Sequence, residues 1–218
     1  MNKVRDLKNK DTLTYETSVA IFDDNSIGEY QGVANNSTVQ TLPTSPSSDY
    51  ISMAHVHNEN ATIKSYSVPS LGDLQWIARR YKDGYLNTSE FTAFLATADG
   101  TYFALTINNP TKLWKFFRYM DAGNFNITIQ ERIEASKKLK EVYKPILKKY
   151  YYDEQSALIQ ENAQGATNNE QQLRYFMQFL KEADIGITVF ESNENFSTFT
   201  KLSIKGFDVK RSTTPCTL

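Results

Sequence analysis

The sequence predicts an α/β or α+β domain in which a mixed β-sheet is flanked by helices. Three observations predict it. Short stretches rich in β-branched and aromatic residues alternate with amphipathic stretches of helical period. An Asp99-Gly100 pair joins two apolar runs and is the strongest hairpin signal in the chain. After a helix-rich block, Ile187-Thr188-Val189-Phe190 restores strand character, so the chain is expected to return to the sheet it left.

In chain order, residues 1–13 are charged and read as a lead-in arm. Residues 15–22 (YETSVAIF) are expected to form a strand closed by the turn Asp23-Asp24-Asn25-Ser26. Residues 28–40 have room for one or two short strands, and 41–49, with two prolines among serines and threonines, read as a loop. Residues 50–57 (YISMAHVH) are the next strand. After the irregular stretch 58–69, Ser70 opens a helix to about Lys82, with Leu71, Leu74, Ile77, Ala78 and Tyr81 on one face and Asp83-Gly84 as its stop. The expected hairpin spans 91–98 and 101–107, with both turn residues at positive φ. Pro110 starts a helix to about Met120. Residues 129–152 read as a long charged helix that Pro145 kinks or divides. A polar linker over 162–169, a helix over 170–184, and strands over 185–190 and 199–209 complete the chain.

Composition removes most functional classes. Twenty-four basic against 25 acidic residues leave a formal charge of −1, which speaks against a nucleic-acid footprint. No apolar run approaches the ~20 residues of a membrane span. The first eight residues lack an apolar core, so no secretory signal is read and a cytoplasmic chain is the default expectation, with export as part of a larger protein the alternative. A lone cysteine, Cys216, excludes an internal disulfide framework. The lysine-rich stretch 137–149 reads as a solvated helix face, and Tyr150-Tyr151-Tyr152 and Trp114 to Phe117 as packing aromatics.

One constellation carries chemistry. The only two histidines, His55 and His57, stand two apart on a predicted strand, so both imidazoles point to one face. Two neutral imidazoles suit zinc, and a catalytic zinc takes a third protein ligand and keeps a position open for water. Asp73, on the first turn of the following helix, can close that triangle. Ser70 lies beside it, and Glu16, on the earlier strand, offers a carboxylate for proton transfer; Glu29 is its rival. Ser70-x-x-Asp73 equally fits a capping box, and that reading stays open here.

His-x-His followed by Ser-x-x-Asp, with an upstream strand glutamate, resembles the JAMM (MPN-type, JAB-like) zinc metallopeptidases. The resemblance implies His55, His57 and Asp73 as ligands of Zn2+, Glu16 as general base and Ser70 as oxyanion helper. It implies a cytidine-deaminase-like layered domain, with residues 14–110 as core. Residues 111–218 are then a helix-rich C-terminal extension, like those of some bacterial JAMM-like domains, returning strands to the same domain. The implied activity is metal-dependent hydrolysis of a peptide or isopeptide bond in a peptide or protein substrate. An inactive JAMM-like interaction scaffold, or an effector domain of a larger bacterial protein, is the alternative. Two departures stand out. Asn58 replaces the proline usual after the second histidine and is expected to loosen the turn there. Twelve residues, 58–69, separate His57 from Ser70, longer than the family spacer, an insertion tolerable because loop closure costs little per added residue.

Overall fold

The structure is a computed structural model and describes residues 2–217 except 7–12, 14, 34–41, 44–45, 59–64, 121–129, 131–133, 135–136, 153–155 and 162–164. Its elements are α1 (Asn2–Asp6), β1 (Thr17–Phe22), β2 (Ile27–Gln31), β3 (Tyr50–His57), α2 (Leu71–Lys82), β4 (Thr92–Thr97), β5 (Tyr102–Ile107) and α3 (Pro110–Met120). Then follow α4 (Lys144–Leu147), α5 (Ala166–Ala183), β6 (Ile187–Ser192), β7 (Thr198–Lys205), β8 (Asp208–Arg211) and β9 (Cys216–Thr217).

The strands form one mixed sheet in the order β2-β1-β3-β4-β5-β6-β7-β8, with β9 also paired to β7. Neighbours run antiparallel except β3 and β4, which are parallel and joined through α2. A parallel pair needs such a crossover, because a tight turn cannot bring the chain back to the same end. β3 is buried along nearly all its length, as its almost unbroken apolar run requires of a central strand.

The three longer helices cover one face. Met53, Leu95, Leu105, Val189 and Leu202 of the sheet share a core with Leu74 and Ile77 of α2, Phe116 of α3, and Phe176 and Phe179 of α5. Burying each such side chain is worth roughly 1.5–3 kcal/mol. On the opposite face Val19, Ala54, Val56, Phe94 and Phe199 pack beneath Val4 of α1 and Phe196. Alternation along β3 therefore assigns Met53, His55 and His57 to the helix-covered face. Among the described residues no helix is long and apolar enough to cross a membrane.

Three expectations need correction. In the β4–β5 turn only Gly100 has positive φ; Asp99 does not. The Gly100 N–H bonds to Thr97 O and the Thr97 N–H to Thr101 O, which is a three-residue loop closed by a left-handed glycine, not a two-residue one. The helix expected from residue 170 begins at Ala166, because a tertiary bond from Asn169 Nδ2 to Asp99 O holds its polar first turn against the β4–β5 turn. The single strand expected over 199–209 is a hairpin, β7 and β8, folded at Gly206 with φ of 65°. In its described part the helix expected over 129–152 is divided around Pro145, as that residue predicts: π-helical turns at Leu139–Tyr143 and Lys148–Tyr152 flank α4, which carries Pro145 in its first turn. Proline lacks the N–H a regular ladder uses, so the hydrogen-bonding pattern shifts around it. Residues 34–40, where a further strand had room, and 162–164 of the expected linker lie outside the described residues.

Candidate metal centre

The β3–α2 crossover builds the site. β3 ends in His55 and His57, both buried, and α2 begins with Ser70 as its N-cap. Ser70 Oγ accepts from the Asp73 N–H at 3.2 Å, and Asp73 Oδ2 accepts from the Ser70 N–H at 2.7 Å. The capping box is complete, and it leaves the carboxylate facing the two imidazoles. His55 Nε2 lies 3.0 Å from Asp73 Oδ1, and His57 Nε2 lies 3.3 Å from Asp73 Oδ2. The two Nε2 atoms are 3.1 Å apart. Asp73 therefore both caps the helix and joins the histidines, because a carboxylate has lone pairs for both tasks.

These distances have a chemical meaning. A tetrahedral zinc with bonds of ~2.0–2.1 Å separates neighbouring ligand atoms by ~3.3–3.4 Å, close to all three distances here. His57 Nδ1 is 2.9 Å from Tyr66 O; a carbonyl only accepts, so Nδ1 carries the hydrogen and Nε2 of the neutral ring presents its lone pair to the centre. Such a cluster of acceptors needs a positive charge among them, either a proton or a metal ion. His55, His57 and Asp73 thus form a buried group able to hold a metal ion.

Without a metal, protons fill that need. Burial works to lower the His57 pKa, but the charge and hydrogen bond of Asp73, the Glu16 charge and Tyr66 O raise it to about 9. Burial works to raise the Asp73 carboxyl, but His55 and His57 hold it well below the usual carboxylate range.

Glu16 stands immediately before β1. Ser18 pairs with His55 in the antiparallel β1–β3 ladder, and continuing that register sets Glu16 level with His57, on the same face. Its residue is 5 % exposed. Burial raises its pKa to about 7, partly offset by the charges of His57 and His55 and reinforced by Asp73. Glu29 lies in β2, exposed and paired with Lys3 at 2.7 Å. A cavity of about 260 Å³ is lined by Glu16, His57, Ser70 and Asp73, with Tyr66 and Tyr151 among its walls.

Asn58 does not loosen its turn. It is 0 % exposed, and its Nδ2 donates to Leu13 O at 2.9 Å and to Tyr15 O, one residue before Glu16. The side chain ties the end of β3 to the segment that carries Glu16. Asn58→Ala would leave both carbonyls without this donor, and an unmade buried hydrogen bond costs about 2 kcal/mol. That loss is expected in urea denaturation; an unchanged midpoint would show that the clamp contributes nothing.

The long spacer is anchored rather than loose in its described part. Tyr66 O holds His57, Thr101 Oγ1 donates to Ser67 O at 2.6 Å, and Tyr151 Oη donates to Pro69 O at 3.0 Å. Sequence reasoning missed Tyr66, whose contribution is a backbone carbonyl with no residue-type signature. It read Tyr151 as packing alone. Tyr151 does pack, 5.2 Å from the Phe179 ring, but its hydroxyl also holds the residue preceding Ser70. No known family, curated protein or solved structure matches the chain.

Proposed function

We propose that the chain is a zinc-dependent hydrolase of JAMM type that cleaves a peptide or isopeptide bond. The single observation that carries this reading is the triangle of His55 Nε2, His57 Nε2 and Asp73 carboxylate oxygens, with edges of 3.0–3.3 Å, beside a buried glutamate. Two imidazoles and one carboxylate are a ligand set for zinc, and three protein ligands leave a position open. A zinc ion held there supplies Lewis acidity, lowering the pKa of water and polarising a carbonyl.

The chain's own groups supply the rest. Glu16, buried beside the triangle, takes a proton from the attacking water at a carboxylate oxygen and returns it to the leaving amine. In the capping box Ser70 Oγ uses a lone pair toward the Asp73 N–H, so its own hydroxyl hydrogen is available to donate to the tetrahedral oxyanion. Tyr66 O fixes the His57 ring, and Tyr151 steadies the approach to Ser70 through Pro69.

The test is metal content and cleavage together. Purified protein is expected to retain about one zinc per chain, the complement of a three-ligand site. Cleavage across a panel of peptides and ubiquitin-like isopeptides should stop with chelator and return with zinc. Protein that retains no metal at micromolar zinc would overturn the reading. Protein that holds zinc but cleaves nothing in a chelator-sensitive way would instead be the interaction scaffold.

A further inference from the structure

A metal-ligating histidine nearly always gives its second ring N–H to a partner that fixes the ring. His57 has Tyr66 O. His55 is different: its Nδ1 is buried and has no hydrogen-bond partner. If Nε2 faces the metal, Nδ1 must carry the hydrogen, and a buried donor left alone costs stability and lets the ring turn.

Among the described residues level with His55 in the sheet or beside it on its own face, one side chain can take that hydrogen. Along β3 the same-face neighbours are Met53 and His57, and across the parallel ladder His55 is level with Leu95. Neither Met53 nor Leu95 offers a good acceptor, and His57 is committed to the centre. Across the antiparallel ladder His55 is level with Ser18. Ser18 is 2 % exposed, and its Oγ is also buried without a partner. Directly opposed side chains in such a ladder have Cβ atoms ~4.5–5.5 Å apart, within reach of a hydroxyl that can rotate among three staggered wells. The other partnerless hydroxyls on these two strands, Thr17 and Ser52, alternate to the opposite face.

We propose that Ser18 is the positioning residue of the metal centre: its hydroxyl accepts the hydrogen bond from His55 Nδ1–H and aims Nε2 at the ion. The inference rests on the metal-centre reading above. It predicts two unlike outcomes for two buried serines. Ser18→Ala is expected to weaken zinc binding 10–100-fold, the usual effect of removing a group that orients a ligand. Ser52→Ala, losing an equally buried hydroxyl on the far face, should stay within about twofold of wild type, since it touches no ligand.

The experiment is chelator competition for zinc, with cobalt(II) absorption as a second report of ligand geometry, on the full chain of wild type and both variants. Circular dichroism and melting of each metal-free protein check the fold. In ¹⁵N-labelled zinc-loaded protein the His55 Nδ1–H resonance should be protected from exchange in wild type and lost or fast-exchanging in Ser18→Ala. Ser18→Ala binding zinc as tightly as Ser52→Ala, with that resonance unchanged, would overturn the assignment while leaving the metal centre standing. A wild-type chain that binds neither zinc nor cobalt would overturn both.

Discussion

Glu16→Gln is expected to leave zinc bound and to reduce hydrolysis at least about a hundredfold, the lower end of what positioned acid–base catalysis contributes. Glutamine keeps the shape of the side chain at a site only 5 % exposed, so the cavity wall and the His55–His57–Asp73 triangle stay in place. What it removes is the buried carboxylate that takes a proton and releases it again. Substrate contacts are otherwise retained, so the loss should fall on kcat, with KM little changed. His55→Ala is the complementary variant: with two protein ligands left, zinc should be lost on dialysis and activity with it. Zinc content and steady-state rates on the same preparations separate the two. A Gln variant that cleaves as fast as wild type would remove Glu16 from the chemistry.

Legibility in the sequence followed residue type. The strand Tyr50–His57 and the helix Pro110–Met120 matched their expected bounds, because an apolar run and a proline at the first helical position are strong local signals. That His55 and His57 come together was readable for the same reason: the two histidines are the chain's only ones, and strand alternation put them on one face. Capping and ligation read as rivals for Asp73, although one carboxylate has lone pairs enough to cap the helix and still face the histidines. Contributions from backbone atoms or from distant sequence were not legible. Tyr66 acts through its carbonyl, Tyr151 reaches Pro69 from 82 residues away, and Asn58 reaches back 45 residues to Leu13. Asn58 read as a missing proline because sequence gives the type that is lost, not the partner that is gained. The Gly206 turn hid inside a run of strand formers, where a single glycine weakly signals a reversal.

In the metal-free protein, stability should fall between about pH 4.5 and pH 7 by roughly 3 kcal/mol through Glu16 alone, and Glu16→Gln should abolish that fall. The sign follows from the proton. Folded Glu16 has a pKa of about 7 against 4.5 in the unfolded chain, so the native state binds the proton more tightly. This contribution is complete below pH 4.5, declines as pH rises through the interval, and is gone above about pH 7. Its cause is burial, which disfavours the carboxylate more than the nearby histidines favour it. His57, raised from 6.5 to about 9, begins to lose its own contribution above pH 6.5 and so reaches the upper end of this window, which is why the Glu16 effect is read below that pH. For a chain of this length ~3 kcal/mol corresponds to roughly 6–12 °C in melting temperature. The measurement is a series of thermal melts from pH 4.5 to pH 6.5 in chelator, wild type against Glu16→Gln, in which the slopes matter and a constant offset does not. Saturating zinc should flatten the wild-type slope, because a divalent charge in the triangle lowers the pKa of the neighbouring carboxylate. Parallel slopes for the two metal-free proteins would mean that Glu16 is hydrated in the native state, because a hydrated carboxylate keeps its ordinary pKa and only a desolvated one holds its proton toward neutral pH.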